Sequence, residues 1–109
     1  MAVRRGEIWT VYGGVYARKP RPAIIIQDNA FHRFESVTLI PCTTNPAEAP
    51  AIRPDLRPGP GNGLRTACSA MIDKITTVPR ANLGDRIGAL AEEDMLRINR
   101  ALVLFLGIG

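Results

Sequence analysis

The stretches Arg21-Pro22-Ala23-Ile24-Ile25-Ile26 and Ser36-Val37-Thr38-Leu39-Ile40-Pro41-Cys42-Thr43 decide the predicted fold. The first is an apolar run entered through a proline, a residue found at the start of a strand or on a sheet edge. The second alternates polar and apolar side chains with the period of a half-buried strand. We therefore predict two strands, at residues 23–27 and 36–43, joined by a polar turn at 28–35.

A direct antiparallel hairpin of these strands would place Arg21, before the first strand, near Thr43, at the end of the second. A crossover connection would separate the two residues. Arginine stays protonated at physiological pH, and its planar fork matches two phosphate oxygens, so it can bind a phosphodiester and stabilise its transition state. A cation and a hydroxyl at neighbouring strand ends indicate phosphate chemistry.

The flanking sequence predicts further strands. Residues 6–12 alternate as a first strand, residues 51–53 form a candidate edge strand, and residues 64–78 are interpreted as one strand bent across a small barrel. The segment 45–63 is rich in proline and glycine and is predicted to be a mobile or ligand-facing loop. Residues 79–90 are predicted to be a turn-rich connection.

From Glu92 onward the hydrophobic period becomes that of a helix. One apolar stripe follows the spacing i, i+3, i+7 and i+10, at Met95, Ile98, Leu102 and Phe105. Acidic residues at 92–94 suit the first turn, and Gly107 suits the C-terminal end. The predicted fold is mostly β with α: one domain over residues 1–109, a small barrel with a C-terminal α-helix.

The composition limits the class of protein. The chain has 109 residues and no run near the roughly 20 apolar residues of a membrane span, so we expect no membrane association. Its basic N-terminus lacks the apolar region of a signal peptide, which predicts a cytoplasmic protein. Residues 1–65 carry nine Lys or Arg and five Asp or Glu, whereas residues 66–109 carry five of each. The excess positive charge favours an anionic partner, most commonly nucleic acid.

Neither the cysteines nor the histidine indicates a metal site. Cys42 and Cys68 lack metal-ligand spacing, and we expect reduced, partly buried thiols, with a disulfide as the alternative. His32 stands outside any cluster of Cys, His or carboxylate residues and is interpreted as a solvated loop residue. We expect chemistry that uses no metal and no other cofactor.

The sequence resembles the MazF/PemK-type toxins of bacterial toxin-antitoxin pairs over nearly its whole length. Five segments occur in the family's order: Arg5-Gly6-Glu7-Ile8-Trp9, Arg21-Pro22-Ala23-Ile24-Ile25-Ile26, Pro41-Cys42-Thr43-Thr44-Asn45, Met71-Ile72-Asp73-Lys74-Ile75-Thr76-Thr77-Val78 and the terminal helix. Each segment alone is weakly specific, and the five together are strongly so.

The resemblance implies a small SH3-like barrel of the CcdB/MazF type, a homodimer, and a sequence-specific endoribonuclease on single-stranded RNA such as mRNA. In this family the reaction needs no metal. The 2'-hydroxyl attacks the adjacent phosphorus, leaving a 2',3'-cyclic phosphate and a 5'-hydroxyl. The resemblance also implies a cognate antitoxin whose disordered acidic segment covers the RNA groove.

The family's site residues carry over at three positions. Arg21 matches the catalytic arginine, with a role in transition-state stabilisation and proton donation to the leaving oxygen. Thr43 matches the active-site threonine, placed to hydrogen-bond a phosphate oxygen. Asp73 matches an acidic position used by some members as general acid or base. Their arginine two residues earlier is Met71 here, so Asp73 is open to a purely structural interpretation.

A second group of residues is assigned to RNA binding: Tyr16, Arg18, Lys19, Thr44 and Asn45. An aromatic residue beside cations can stack and neutralise single-stranded RNA, although a plain solvated turn explains the loop equally well. We interpret Trp9, on the first strand, as a core or dimer-interface residue rather than a base platform.

Two alternatives come from other functional classes. A CcdB-like, non-enzymatic DNA gyrase inhibitor shares the barrel and terminal helix, but it presents a Trp-Gly-Ile tail where this chain has Leu106-Gly107-Ile108-Gly109. A non-catalytic nucleic-acid-binding barrel explains the charge asymmetry. It does not explain the combination of Arg21 with Thr43.

Overall fold

The computed structural model describes residues 2–13, 19–45 and 49–109. These residues form seven strands and one α-helix, with single 3-10 turns at Asn29–Phe31, Ile72–Lys74 and Arg80–Asn82. The strands are β1 (Glu7–Val11), β2 (Arg21–Ile25), β3 (Ser36–Thr43), β4 (Asp55–Leu56), β5 (Cys68–Ala70), β6 (Thr76–Pro79) and β7 (Leu83–Ala89), followed by α1 (Glu92–Leu106). The predicted class, a small β-rich barrel with a C-terminal helix, is confirmed. No helix in the described part of the chain is long and apolar enough to cross a membrane.

The strands form one curled sheet in the order β4-β5-β3-β2-β1-β7, with β6 also paired to β3. β2 and β3 are adjacent and antiparallel, which confirms the predicted hairpin. The pairing partner of β3 changes along the strand. Residues 36–39 pair with β6, and residues 42–43 pair with β5. The C-terminal end of β3 therefore continues the sheet into β5 and β4.

Each face of the sheet carries its own hydrophobic cluster. The inner cluster lies on the side covered by α1 and includes Ile8, Ile24 and Ile40 with Ile98 of the helix. The outer cluster takes the alternate positions of the same strands: Val3, Trp9, Val11, Ala23, Ile25, Val37, Leu39 and Leu83. Because successive side chains of a strand point to opposite faces, β2 is buried on both sides from residue 23 onward.

The C-terminal helix has the predicted bounds. Acidic residues occupy its first turn, and Gly107 ends it in the left-handed conformation at φ 68°, donating its N–H to Val103. Ile98, Ala101 and Leu102 are buried against the sheet. The predicted stripe extends one turn too far, because Phe105 is 43% exposed along with the neighbouring apolar side chains of that turn.

The strand predicted at residues 23–27 is β2 at Arg21–Ile25, so Arg21 begins the strand instead of preceding it. Three further predictions of local structure are wrong. Residues 64–78 form β5, a 3-10 turn and β6 instead of one bent strand, and the short edge strand lies at Asp55–Leu56 instead of 51–53. The supposed turn-rich connection contains β7, which pairs with β1. Its Gly84 and Gly88 permit close approach: a Cβ at Gly84 would lie 2.3 Å from the Tyr12 ring, and one at Gly88 2.3 Å from the carbonyl carbon of Asn62.

The second half of the segment 45–63, predicted to be a mobile or ligand-facing loop, is held by hydrogen bonds. Asn62 is buried, and its side chain accepts from the backbone N–H groups of Gly59 and Leu64 and donates to the carbonyl of Arg57. The N–H of Ala89 in β7 donates to the carbonyl of Gly61 at 2.9 Å. Residues 57–64 are therefore fixed against the sheet by hydrogen bonds.

Candidate active site

Arg21 and Thr43 lie at neighbouring strand ends. Ala23 of β2 stands opposite Pro41 of β3, and the same register, continued two residues along both strands, brings Arg21 level with Thr43. Residues directly opposite each other in an antiparallel pair point to the same face. Because Ala23 belongs to the outer cluster, both side chains lie on the outer face, away from the helix.

The polar atoms of these two residues are available to a ligand. Arg21 is exposed, and its guanidinium makes no hydrogen bond or ion pair with any residue that the structure describes. Thr43 is half-buried, and its Oγ accepts a hydrogen bond of 3.2 Å from the backbone N–H of Asn45. That bond fixes the side chain while leaving the hydroxyl proton free to be donated.

Asp73 lies in the 3-10 turn that follows β5, where it pairs with Arg53. Nε of Arg53 donates to one carboxylate oxygen at 2.7 Å, and an Nη donates to the other at 2.9 Å. The two side chains are 22% and 27% exposed. The hydrogen bonds from Arg53 hold the pKa of Asp73 below its usual range.

Sequence reasoning missed Arg53. The sequence has a methionine, Met71, two residues before Asp73, and nothing in it says which arginine reaches Asp73. The backbone explains the pairing, since the N–H of Ile72 donates to the carbonyl of Ile52 and sets residue 53 beside residue 73. The one sequence signal available was Arg53 itself, a cation between two prolines in the segment predicted to face a ligand.

The RNA-binding candidates fall into two groups. Lys19, Thr44 and Asn45 are exposed around the ends of β2 and β3. Tyr16 and Arg18 lie outside the described residues. Trp9 is a buried member of the outer cluster, which confirms its interpretation as a core residue.

The remaining chemistry-bearing residues lie apart from Arg21 and Thr43. His32 belongs to the turn at the opposite end of the β2–β3 hairpin, where it lines a depression of about 390 Å³ with Ala2, Arg33 and Arg80. Cys42 and Cys68 are free, buried thiols on the inner face. Contact with the Cys68 thiol, together with burial, raises the pKa of Cys42. Within the described ranges, no three His, Cys, Asp or Glu side chains form a metal-ligand group.

Comparison with known proteins places the chain in a family. Residues 4–106 match the family described as PemK-like, MazF-like toxin of type II toxin-antitoxin system. The chain is 52% identical to the probable endoribonuclease MazF of Mycolicibacterium smegmatis, over 97% of this chain and 98% of that protein.

Solved structures show the same fold. An endoribonuclease from a mycobacterial species, in complex with its cognate antitoxin, superposes with a TM-score of 0.80 at 27% identity, covering 99% of this chain and 98% of that one. MazF from Deinococcus radiodurans superposes with a TM-score of 0.78 at 15% identity, covering 99% of both chains. The second similarity concerns the fold alone.

Proposed function

Since the chain belongs to the PemK-like, MazF-like toxins of type II toxin-antitoxin systems, we propose that it is an endoribonuclease that cuts single-stranded RNA at short sequences without a metal ion. The 2'-hydroxyl attacks the neighbouring phosphorus, and the products carry a 2',3'-cyclic phosphate and a 5'-hydroxyl. The substrate includes mRNA, and the site of action is the cytoplasm, where mRNA is translated. The 52% identity to a probable endoribonuclease supports the activity.

The observation that carries the proposed chemistry is the placement of Arg21 and Thr43 at one end of the β2–β3 hairpin, on one face. In-line attack by a 2'-hydroxyl gathers negative charge on the phosphorane oxygens. A guanidinium with no partner among the described residues, beside a hydroxyl whose proton is free, supplies the donors that such charge requires. Arg21 and Thr43 lie at the ends of β2 and β3, which pack against hydrophobic clusters on both faces of the sheet. The backbone that carries the two donors is therefore held in place, and we expect it to move little during the reaction.

We assign Arg21 to stabilisation of the phosphorane and to hydrogen bonding of the leaving 5'-oxygen. Thr43 donates to a non-bridging phosphate oxygen, with Asn45 holding its side chain in place. Asp73 is the third candidate. Both of its oxygens bind Arg53, and a lowered pKa makes a carboxylate a weaker base, so the geometry favours a positioning role for Asp73 over proton transfer.

RNA would lie along the exposed residues around the hairpin end, Lys19, Thr44 and Asn45. Tyr16 and Arg18, which lie outside the described residues, are proposed to contact RNA as well. A cognate antitoxin with an acidic segment would compete for the same cations. A peptide with that segment's sequence should inhibit cleavage less as the RNA concentration rises, and inhibition independent of RNA would refute this competition.

The proposed homodimer has a direct test. Sedimentation equilibrium at micromolar protein is expected to give twice the mass of the chain. A monomer at these concentrations would contradict the proposal.

The test of the activity is incubation of the purified protein with a long mixed-sequence RNA in excess EDTA. The wild type is expected to cut at a repeated short sequence and to leave cyclic phosphate and 5'-hydroxyl ends. Arg21→Ala should reduce the rate by about 100-fold or more, as removal of an oxyanion-stabilising donor does. Arg100→Ala is the matched control, because Arg100 is an exposed arginine of the C-terminal helix.

Each alternative gives a different result. If the folded wild type leaves the RNA intact, the ribonuclease proposal is wrong and the non-catalytic alternatives return. If cleavage requires a metal ion, the family chemistry does not apply to this chain. If Arg100→Ala lowers the rate as much as Arg21→Ala, the effect of Arg21 is one of general charge and not of catalysis.

A further inference from the structure

One buried polar side chain beside the candidate site lacks a structural explanation. Ser69, in the middle of β5, is 8% exposed. It makes no hydrogen bond through its hydroxyl to any residue in the described ranges. The other buried polar residue in the described part of the chain, Asn62, makes three side-chain hydrogen bonds that fix a loop. Unlike Asn62, the Ser69 hydroxyl therefore stabilises no described part of the fold through a hydrogen bond.

The register places Ser69 directly beside Thr43. These two residues are opposite partners in the β3–β5 pair. They therefore point to the same face, with their Cβ atoms about 4.5–5.5 Å apart. The neighbours of Ser69 in the strand, Cys68 and Ala70, belong to the inner cluster, which confirms that Ser69 faces outward.

The Ser69 hydroxyl is also open to a ligand. Among the described residues, no fully enclosed side-chain nitrogen or oxygen lacks a hydrogen-bond partner. An oxygen without a protein partner must therefore touch solvent, and that of Ser69 does so on the face that carries Thr43. Arg21, Thr43 and Ser69 consequently form one row across β2, β3 and β5.

We propose that Ser69 is a further catalytic residue, whose hydroxyl donates a hydrogen bond to a non-bridging oxygen of the phosphate held by Arg21 and Thr43. The inference rests on the proposed ribonuclease function. Adjacent strands lie about 4.8 Å apart, so a phosphate centred over Thr43 has the guanidinium on one side and the Ser69 hydroxyl on the other. Two hydroxyls of one row can then serve one non-bridging oxygen each.

The charge next to Ser69 is compatible with this role. Asp55 follows Ser69 in the row, on β4, and an unpaired carboxylate there would repel a phosphate. Arg97 of the helix binds it, donating to the carboxylate at 3.0 Å and to the Asp55 carbonyl at 2.8 Å. The positive end of the row, at Arg21, has no such partner among the described residues.

The contribution of Ser69 should appear mainly in the transition state, since the oxygens gain charge as the phosphorane forms. A hydrogen bond to a charged group corresponds to a loss of about 10- to 100-fold in kcat/KM when the donor is removed. We expect Ser69→Ala to lower kcat more than it raises KM. Ser36→Ala is the matched control, because Ser36 is an exposed serine at the far end of β3.

The decisive readout uses a short RNA that contains the mapped cleavage site, with sulfur replacing either non-bridging oxygen of the scissile phosphate. Sulfur accepts hydrogen bonds weakly, so each isomer should slow the wild type, one at the oxygen bound by Thr43 and the other at the oxygen bound by Ser69. In Ser69→Ala the isomer with sulfur at the Ser69 position should cause no further loss of rate, because that contact is already absent, whereas the other isomer should slow the variant as it slows the wild type. Ser69→Thr, which retains a hydroxyl, should show the wild-type sulfur effect and cleave within about fivefold of the wild-type rate.

The outcomes separate this inference from the function on which it rests. A wild type that does not cleave RNA refutes both. A wild type that cleaves, with Ser69→Ala within twofold of its rate, refutes the role of Ser69 alone. Unchanged sulfur effects in Ser69→Ala, or a lost sulfur effect in Ser69→Thr, would show that the serine does not touch the phosphate.

Discussion

Replacing Asp73 by asparagine distinguishes a structural acid from a catalytic one. The substitution keeps the shape of the side chain and removes the charge that receives two hydrogen bonds from Arg53, at 2.7 and 2.9 Å. Exposed ion pairs contribute up to about 1 kcal/mol, and breaking a fully buried pair costs about 3–5 kcal/mol. With side chains 22% and 27% exposed, the pair lies between these limits. We expect Asp73→Asn to lower the free energy of unfolding by about 2 kcal/mol.

Urea denaturation measures this loss. The denaturation midpoint should fall by about 1 M without a change in slope, since the slope for a domain of this size is about 1–3 kcal/mol per M. The pH dependence gives a second check. Because folding lowers the pKa of Asp73, its stabilisation is complete above the pKa of the unfolded state and is lost as the pH falls through the lower pKa of the folded state. The difference between wild type and variant should therefore be constant near neutrality and shrink in acid.

The control is Arg57→Gln, which breaks a pair of 3.7 Å between Arg57 and Asp55 whose side chains are 83% and 62% exposed. That substitution should leave the midpoint nearly unchanged. The reasoning is refuted if Asp73→Asn keeps the wild-type midpoint yet abolishes RNA cleavage. Asp73 would then act in the reaction, and its contact with Arg53 would be incidental to stability.

Three further predictions concern the remainder of the fold. Gly88→Ala should destabilise the protein by about 3 kcal/mol, because its Cβ would lie 2.3 Å from the Asn62 carbonyl carbon. Gly59→Ala, whose nearest contact would be 3.6 Å, should cost little in the same urea experiment. Asn62→Ala should cost about 2–4 kcal/mol, since it leaves two backbone donors and one acceptor without their partner. Cys42 and Cys68 should react with a thiol reagent only as fast as the native protein opens, and rapid labelling would contradict their burial.

The elements that the sequence predicts best are those with uninterrupted periodicity. β3 has its predicted bounds at residues 36–43, and the helix begins at Glu92 and ends before Gly107, as expected from the acidic first turn and the terminal glycine. The hairpin was predictable because β2 and β3 are consecutive and joined by a polar turn. The predicted hairpin also implied that Arg21 and Thr43 lie close together.

The elements that sequence reasoning missed depend on contacts between distant segments. Gly84 and Gly88 are typical of turns, yet in β7 they allow the side chains of β1 and the backbone of Asn62 to approach. The pair of Arg53 and Asp73 joins residues twenty positions apart and depends on the path of the intervening loop. Neither contact has a local signature, so no pattern within one segment could predict it.

The burial of β2 and β3 on both faces limits how proteins of this kind can diversify. Beyond Arg21, the positions of β2 alternate between two hydrophobic clusters, so most substitutions there reduce stability before they alter a binding preference. Variation that evolution can tolerate is left to the parts of the chain that precede β2 and follow β3, at residues 12–20 and 44–51. A library that aims to alter the proposed RNA recognition, while keeping the proposed catalytic residues, should randomise those segments and leave the strands unaltered.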